Sequence, residues 1–240
     1  MTTYGIIIRH GERLDHVQKS WQPDPSIGLW DPPLTQQGFQ QALKTGQRLV
    51  EMMYEYDIDP SEVILYTSPF RRCIETSIGI LQGMPHKPLI RIEVGLGEWM
   101  CERFFDSVCD AKQLVSHGHQ RLAREQASAY AKQQVPLKVD YTYKGCRSEF
   151  NFPESYTDMV HRFEETRQSC LKDETRLVLF VTHAVGVNAL LDGFRNHLTR
   201  PLKSNYCSLS LVSKQKDQES EYPDTAWSIE MTMSDSHLLI

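Results

Sequence analysis

The sequence predicts an α/β protein, a three-layer α/β/α sandwich around a mostly parallel sheet. Short apolar runs typical of buried strands alternate along the chain with stretches of helical periodicity. Three of these runs end directly in turns rich in charged or hydroxyl side chains. A chain of 240 residues with 40% hydrophobic content is long enough for one sizeable core. We therefore expect a single domain over residues 1–240, with an inserted substrate-shaping region at about 100–152.

The first predicted strand ends in a charged turn. Residues 4–8, YGIII, are followed at once by Arg9 and His10, and Arg13 comes three residues after the histidine. Neighbouring arginines lower the pKa of a histidine by repulsion and keep the imidazole neutral and nucleophilic near pH 7. Their guanidinium groups can also hold a phosphate through paired hydrogen bonds. For an isolated Arg-His-Gly motif, a strand end with solvated charges is the alternative.

A proline-rich loop and a helix follow this turn. The loop covers residues 16–33 and contains Trp21 and Trp30. Loops of this length either shape a pocket or cover the edge of a core, and the position directly after the charged turn favours a pocket. Apolar residues then recur at helical spacing from an N-cap at Thr35 to about Tyr56.

The second predicted strand repeats the pattern of the first. Residues 63–66, VILY, end in a Thr-Ser-Pro turn, and Arg71 and Arg72 begin a helix that reaches about Leu81. The start of a helix offers unpaired N–H groups and the positive end of the helix dipole, so an arginine there adds to an anion site. An exposed arginine pair is the alternative, but a second strand end with the same chemistry favours function for one of the two.

A third predicted strand, residues 89–94, leads to a carboxylate. Glu98 is either a solvated loop residue or an acid directed into the site. Beyond it the sequence is less regular, and helices are expected near 107–115 and over 120–134. Between these two helices lies His117-Gly118-His119, which lacks the further ligands that a metal site needs.

The last part of the chain predicts another helix and the most strand-like run. A helix capped by Ser155 or Thr157 precedes residues 177–181, LVLFV, and His183 follows that strand before a helical stretch over 185–194. This is the third strand to end in a side chain that can bind phosphate. Two more strands are expected, at 205–211 and 226–233, separated by a charged loop at 214–225; residues 205–208 can reach the site.

One competing motif is a chance match. Cys170 and Arg176 have the Cys-x5-Arg spacing of cysteine-dependent phosphatases, but Asp173 and Glu174 lie between them. Two carboxylates facing a phosphate would repel it.

Composition excludes several classes of partner. With a net charge of −5 and a pI near 6.0, the chain has no general affinity for nucleic acid or anionic membranes, so any phosphate site must be a local arginine cluster. No apolar run reaches the length of a membrane span, and no cleavable signal pattern is present. The six cysteines form no CxxC pair and are expected to be reduced thiols. We expect a cytoplasmic or nuclear protein, and a homodimer is compatible with these features.

The ordered motifs resemble the histidine phosphatase, or phosphoglycerate-mutase-like, superfamily. Arg-His-Gly follows strand one, Ser-Pro-x-x-Arg follows strand two, and Gly-Glu-Trp and Thr-His-Ala come later, so the resemblance extends over residues 4–211. RHGERLD, DPPLT, SPFRRC and GLGEW are most similar to the phosphatase domain of the ubiquitin-associated and SH3-domain-containing protein tyrosine phosphatases. Insect ecdysteroid-phosphate phosphatase and a fungal transcription-factor subunit resemble the same branch. The ubiquitin-binding and SH3 modules do not occur in these 240 residues, which argues against a signalling role.

The resemblance implies a two-step mechanism without metal or cofactor. His10 would attack phosphorus to form a phosphohistidine, and Glu98 would protonate the leaving group and then activate water. Four side chains would hold the phosphate oxygens: Arg9, Arg13, Arg72 and His183. Phosphoryl transfer is accelerated mainly by positioning and charge neutralisation, so arginines can do what a metal does elsewhere.

The implied function is a phosphomonoesterase acting on a small molecule or a phosphoprotein. Trp21 and Trp30 suit an aromatic or apolar leaving group such as phosphotyrosine. A rival is a non-catalytic interaction subunit, for example of a transcription complex, although every site position is filled. A sugar-phosphate mutase is disfavoured because mutases typically follow RHGE with serine or glutamine and then Trp-Asn, whereas Arg13, Leu14 and Asp15 stand here.

Overall fold

The computed structural model describes residues 2–23, 30–172, 175–215 and 227–239. The described strands are β1 (Thr2–Arg9), β2 (Val63–Thr67), β3 (Leu89–Ile92), β4 (Lys138–Val139), β5 (Leu177–Thr182), β6 (Leu209–Gln215) and β7 (Trp227–Ser234). The described helices are α1 (Leu14–Val17), α2 (Gln36–Glu55), α3 (Arg71–Gln82), α4 (Ala111–Ala131), α5 (Tyr156–Cys170) and α6 (Ala184–Arg195). The strands form one sheet in the order β4-β3-β2-β5-β1-β6-β7.

The sheet is mostly parallel, as predicted. β5 lies between β1 and β2 and is parallel to both, and β3 and β4 extend the parallel part on the β2 side. β6 is antiparallel to both of its neighbours, β1 and β7. In the register, Arg9 lies beside Thr182, and Thr67 lies beside Val181. The carboxyl ends of β1, β2 and β5 therefore meet at one edge of the sheet.

Alternating side chains place helices on both faces of the sheet. Ile6 and Ile8 of β1 pack into a core with residues of α2 and α3, whereas Ile7 packs with residues of α5 and α6 on the opposite face. Successive strand residues point to opposite faces, so a continuous apolar run is expected when both faces are covered. The predicted three-layer α/β/α architecture is confirmed.

The predicted caps fix the starts of two helices. The Thr35 hydroxyl accepts a hydrogen bond from the Gly38 N–H at 2.9 Å, and Ser155 forms a capping box with Asp158. Gly38 also lets the start of α2 lie against the turn after β1, because a Cβ at this position would come within 2.3 Å of the Glu12 carbonyl oxygen. The start of α2 therefore supports the Arg-His-Gly turn directly.

The predicted break in the middle of the chain is wrong. Instead of two helices separated at His117-Gly118-His119, α4 runs without interruption from its N-cap Asp110 through all three residues. Gly118 is buried, and a Cβ there would lie 2.8 Å from Cδ1 of Ile92. This glycine allows close packing between the helix and the sheet and does not end the helix, a distinction that local sequence does not make.

Two predicted strand boundaries are also corrected. β3 ends at Ile92, two residues early, because Val94 belongs to a short 3-10 turn. β6 begins at Leu209 and not at 205, because the chain turns before it through Cys207, which has a positive φ of 53°. Residues 205–207 are therefore turn residues beside the strand ends.

The region 100–152 supplies α4 and the edge strand β4. It also forms a small apolar cluster in which Phe105 and Phe150 lie against Phe70, the residue just before α3. Residues 24–29 of the aromatic loop and 216–226 of the charged loop lie outside the described residues. Within the described part of the chain, no helix combines the length and the apolar character needed to cross a membrane.

The Cys-x5-Arg match lies away from the converging strand ends. Cys170 is buried at the end of α5, and Arg176 precedes β5, at the opposite end of that strand from His183. Residues 173 and 174, which lie between them, are outside the described residues. The motif does not join the other phosphate-competent side chains.

Candidate active site

The carboxyl ends of β1, β2 and β5 bring His10, Arg72 and His183 together. The backbone N–H of His10 donates to the Thr182 carbonyl at 2.9 Å. The two imidazole rings lie 5.5 Å apart between centroids, and NH2 of Arg72 lies 3.0 Å from Nδ1 of His183. Three residues distant in sequence thus form one cluster, as expected for parallel strands that end at one edge.

His10 is buried and held as a neutral base. Its Nδ1 lies 2.8 Å from the Gly11 carbonyl oxygen. A carbonyl only accepts, so we assign the proton to Nδ1, which leaves the lone pair on Nε2. Burial, followed by the charges of Arg72 and Arg9, lowers the pKa of His10 well below 6.5. The sequence predicted the repulsion by Arg9 but not the larger effects of burial and of Arg72.

Arg72 is a buried cation with two unused nitrogens. Its NH2 donates to Oε2 of Glu98 at 3.1 Å and to Nδ1 of His183 at 3.0 Å. Its Nε and NH1 have no hydrogen-bond partner among the described residues, although NH1 lies 3.8 Å from a carboxylate oxygen of Asp31. Buried donors without acceptors are costly. The free side of this guanidinium is therefore suited to an anion.

Glu98 is a carboxylate in contact with both other groups. Its Oε2 accepts from Arg72 and lies 3.3 Å from Nδ1 of His183, while Oε1 accepts from the Trp99 N–H at 3.2 Å. Burial alone would raise the pKa of this carboxyl, but positive charge on His183, when its ring is protonated, and on Arg72 outweighs burial and holds the pKa well below 4.5. His183 is neutral at neutral pH, so Arg72 is the cation that keeps Glu98 ionised there. In the free site Glu98 is ionised, and Arg72 is its counterion.

His183 is fully buried at the N-cap of α6. Nδ1 accepts from Arg72, so we assign the proton to Nε2, which lies 2.8 Å from Oγ of Ser68. Burial lowers the pKa of His183 to about 4. Both ring nitrogens are engaged in the free site. His183 can offer an N–H to a phosphate only after the contacts among Arg72, Glu98 and its own ring rearrange.

Arg9 is held by Ser204 and Tyr206, two residues of the segment before β6. NH1 donates to the Ser204 carbonyl at 2.6 Å, and the guanidinium stacks over the Tyr206 ring at 4.3 Å. Its Nε is buried and has no partner among the described residues. The Tyr206 ring also lies 5.9 Å from that of His10. Residues 205–208 do reach the site, and the side chain that does so is Tyr206.

Arg13 is engaged by a neighbouring carboxylate. Its Nε and NH2 donate to the two oxygens of Asp15 at 2.7 and 2.6 Å. Asp15 also accepts from the Trp30 indole N–H at 3.2 Å, and the rings of Trp21 and Trp30 meet at right angles, 5.1 Å apart. The sequence assigned the paired donors of Arg13 to phosphate. In the structure they bind Asp15, and Asp15 in turn binds Trp30 of the aromatic loop.

Sequence reasoning gave no role to two buried polar groups in the site. Ser68 contacts His183, and Asp31 accepts a hydrogen bond from the Arg71 N–H at 2.8 Å. Burial raises the pKa of Asp31 to about 6, although Arg72 opposes the shift. Asp31 and Ser68 belong to the quoted motifs DPPLT and SPFRRC, so the motifs themselves were the available signal.

The cluster has the parts of a phosphoryl-transfer site. It combines a neutral imidazole with a free lone pair, buried guanidinium donors without acceptors, and a carboxyl group beside them. Within the described residues, no group of three or more His, Cys, Asp or Glu side chains has an arrangement that could hold a metal ion. A phosphate in this position would satisfy the open donors of Arg9 and Arg72.

Comparison with known families agrees with this geometry. The family model described as "Histidine phosphatase superfamily (branch 1)" matches residues 6–221. Among solved structures, the ecdysone phosphate phosphatase from Bombix mori in complex with tungstate superposes with a TM-score of 0.65 at 22% identity, covering 95% of this chain and 91% of that chain. At this identity the superposition supports the fold.

Three curated proteins share sequence with part of the chain. Ecdysteroid-phosphate phosphatase of Drosophila melanogaster is 32% identical over 121 residues, which cover 39% of this chain and 15% of that protein. The transcription factor tau 55 kDa subunit of Saccharomyces cerevisiae is 35% identical over 96 residues, 39% of this chain and 20% of that protein. Ubiquitin-associated and SH3 domain-containing protein A of Mus musculus is 32% identical over 123 residues, 40% and 19% respectively. Each match covers only a small part of its relative.

Proposed function

Because the chain belongs to the histidine phosphatase superfamily, branch 1, we propose that it hydrolyses phosphate monoesters through a phosphohistidine formed on His10. One observation carries the proposal: the Arg72 guanidinium is buried beside a neutral His10, and its Nε and NH1 have no acceptor among the described residues. A phosphate group would supply those acceptors. No metal ion is required, because the guanidinium groups neutralise the transferred charge.

In the first step, Nε2 of His10 forms a bond to phosphorus while the bond from phosphorus to the ester oxygen breaks. The hydrogen bond from Nδ1 to Gly11 stabilises the positive charge that develops on the ring. Arg9 and Arg72 bind the equatorial oxygens. Glu98 donates a proton to the leaving oxygen, so the product leaves as a neutral alcohol or phenol.

In the second step, water attacks the phosphohistidine. Glu98, now a carboxylate, accepts a proton from the water as its oxygen bonds to phosphorus, and the bond from phosphorus to Nε2 breaks. His10 returns to its neutral form and inorganic phosphate departs. One carboxyl group thus acts as acid in the first half of the reaction and as base in the second.

Substrate binding raises the pKa of the Glu98 carboxyl, so that this group takes up a proton. Glu98 is ionised in the free site because its pKa lies well below 4.5 and Arg72 is the cation beside it. A phosphate that takes over the Arg72 NH2 removes part of that stabilisation, and its own negative charge raises the pKa of the carboxyl. The same exchange releases Nδ1 of His183 from Arg72. The proton on Glu98 is therefore acquired when the substrate binds.

An aromatic leaving group is the substrate class that the surroundings of the acid favour. Trp99, next to Glu98, forms edge contacts with Phe104 and Tyr156, at 6.2 and 5.8 Å between ring centroids. Phe104 and Tyr156 are 44% and 38% exposed, so their rings can contact a ligand. Aryl phosphates such as phosphotyrosine fit this surface.

The rival function is a non-catalytic interaction subunit. The similarity to a yeast transcription-factor subunit keeps it open. In a protein without catalytic activity, buried arginine donors without acceptors beside a neutral His10 would lower stability and serve no purpose. Retention of this cluster supports catalysis.

The test is hydrolysis of para-nitrophenyl phosphate in excess EDTA by the native chain, His10→Ala and the control His119→Ala. His119 is a half-exposed residue of α4. We expect turnover in the native chain and the control, and none in His10→Ala. Rapid quenching in alkali should trap one phosphoryl group on His10, and this group should be lost when the sample is acidified. A folded native protein without turnover between about pH 5 and 8, the range in which histidine titrates, would favour the interaction subunit.

A further inference from the structure

The backbone around Glu98 is held from behind by one arginine. NH1 of Arg162, on α5, donates to the carbonyls of Gly95 and Gly97 at 2.7 and 3.1 Å. NH2 of the same side chain donates to the Glu98 carbonyl at 3.1 Å. Loop carbonyls usually bond to water or to other backbone groups. Here a single side chain that is 1% exposed binds three of them within four residues.

A glutamate completes the arrangement from the other side of the loop. The two oxygens of Glu154 accept from Nε and NH2 of Arg162 at 2.7 and 2.8 Å. The backbone of Glu154 donates to the Met100 carbonyl at 2.7 Å and accepts from the Trp99 indole at 2.9 Å. Arg162 therefore fixes the chain up to Glu98, and Glu154 fixes it directly after.

We propose that Arg162 is a positioning residue, which together with Glu154 holds the Glu98 carboxyl at the leaving-group oxygen. This inference rests on the proposed function, in which Glu98 is the acid. Neither Arg162 nor Glu154 touches the substrate. Their effect is to remove freedom from the backbone that carries the acid, and a displacement of about 1 Å in a catalytic group can cost on the order of 100-fold in rate.

A purely stabilising role accounts less well for this pair. Buried ion pairs often contribute little net stability compared with apolar replacements. The same helix provides a comparison in Arg167, which is 2% exposed and pairs with Glu164 at 2.6 Å. The Arg167 guanidinium stacks over Phe194, 4.9 Å from the ring centroid. Glu164 lies on α5 and Phe194 on α6, so these two partners of Arg167 belong to helices and not to the loop that carries Glu98.

The experiment compares Arg162→Lys with the matched control Arg167→Lys and with Glu98→Gln. Lysine keeps the charge but cannot make the fork to Glu154 and the three carbonyl bonds at once. Each variant is assayed on 2,4-dinitrophenyl phosphate, whose leaving group needs no proton, and on phenyl phosphate, whose leaving group does. The comparison uses kcat/KM, which reports the first step, in which the ester oxygen leaves, and not the later hydrolysis of the phosphohistidine that both esters share. Arg162→Lys should fall by about 10-fold to 100-fold in kcat/KM on phenyl phosphate and by less than about threefold on the activated ester.

Glu98→Gln should show the same selectivity with a larger loss. Arg167→Lys should change both rates by the same factor. Glu154→Gln serves as a second variant in case Arg162→Lys does not fold, and it should reproduce the selective loss, because an amide cannot hold the guanidinium fork as a carboxylate does.

Two results would overturn the inference. The first contradicts only the positioning role, and the second also contradicts the proposed mechanism. If Glu98→Gln is selective but Arg162→Lys and Glu154→Gln reduce both rates equally, the positioning role fails and the acid role of Glu98 stands. If Glu98→Gln itself shows no selectivity, or the native chain hydrolyses neither ester, the proposed mechanism fails and the positioning role fails with it.

Discussion

Two arginines in this protein are equally buried and are bonded in opposite ways. Arg72, at the strand ends, is 1% exposed and has two nitrogens without a hydrogen-bond partner among the described residues. Arg162, behind the loop that carries Glu98, is also 1% exposed, but its Nε, NH1 and NH2 all donate to acceptors. Burial alone therefore does not distinguish a binding residue from a scaffold residue.

The difference shows how the two regions divide the work. Unpaired buried donors are tolerated where a ligand will complete them, and they are a local cost to the free protein. Fully paired donors fix geometry and are completed by the fold itself. The site therefore combines two regions. The donors of Arg72 become fully paired only when an anion binds, whereas those of Arg162 are already paired in the folded protein.

The largest expected effect is on stability at the satisfied arginine. Arg162→Met should lower the free energy of unfolding by about 3 to 5 kcal/mol, because it leaves Glu154 charged and buried without its partner. Arg72→Met should lower that free energy by less, because Glu98 is 13% exposed and can be hydrated when its partner is lost, whereas Glu154 is 3% exposed, and because the unpaired donors of Arg72 are removed. Urea unfolding of both variants measures the difference. Equal losses in the free energy of unfolding for the two variants would contradict the distinction between Arg72 and Arg162.

The second effect is stabilisation by an anion. Inorganic phosphate at about 100 times its dissociation constant should stabilise the native chain by about 2.7 kcal/mol. Arg72→Met should lose most of this gain, and Arg162→Lys should keep it, because Arg72 has two buried donors open to the anion, whereas the donors of Arg162 are bonded to Glu154 and to backbone carbonyls. Thermal unfolding with and without phosphate measures it, with sodium chloride at the same ionic strength as a control for salt. Stabilisation that survives in Arg72→Met would place the anion elsewhere.

The smallest effect is the pH dependence of stability between pH 6.5 and 5.5. Burial keeps the pKa of His183 at about 4 and that of His10 well below 6.5. In this window the unfolded chain binds protons that the native histidines do not bind, so the free energy of unfolding falls as pH falls, by about 1 kcal/mol for each histidine over the whole window. Asp31, with its pKa raised to about 6, binds a proton in the native state and opposes the trend.

The variants His183→Asn and Asp31→Asn separate these contributions. Urea unfolding at pH 6.5 and 5.5 should show a shallower fall for His183→Asn than for the native chain, and a steeper fall for Asp31→Asn. A native chain equally stable at both values, with unchanged slopes in the variants, would mean that these groups titrate normally in the folded protein.

Much of the fold follows from local pattern. The apolar runs before Arg9 and before His183 are strands, and their alternating side chains require helices on both faces. Thr35 and Ser155 begin helices as their hydroxyl side chains predict. The errors fall where a local signal has two meanings, as at Gly118, where a residue typical of a helix end serves close packing inside a helix.

The site was predictable to the extent that strand ends predict it. The positions of His10, Arg72, Glu98 and His183 follow from motifs placed after strands, and the structure brings these four together. The role of Arg162 was harder to see, although a signal existed. Arg162 lies at helical spacing from the buried Met159 and next to the buried Phe163, so a charged residue stands on the apolar face of α5.

The sequence by itself determined the family, the layered α/β fold and the identity of the phosphate-competent side chains, because these depend on periodicity and on motifs read along the chain. Only the tertiary structure decided which donors are free and which are occupied. Arg13 donates to Asp15, and Arg162 donates to the loop that carries Glu98. Arg72 keeps two nitrogens without a hydrogen-bond partner among the described residues. The reason is physical. A hydrogen bond is set by distances of about 3 Å between groups that folding brings together from remote parts of the chain.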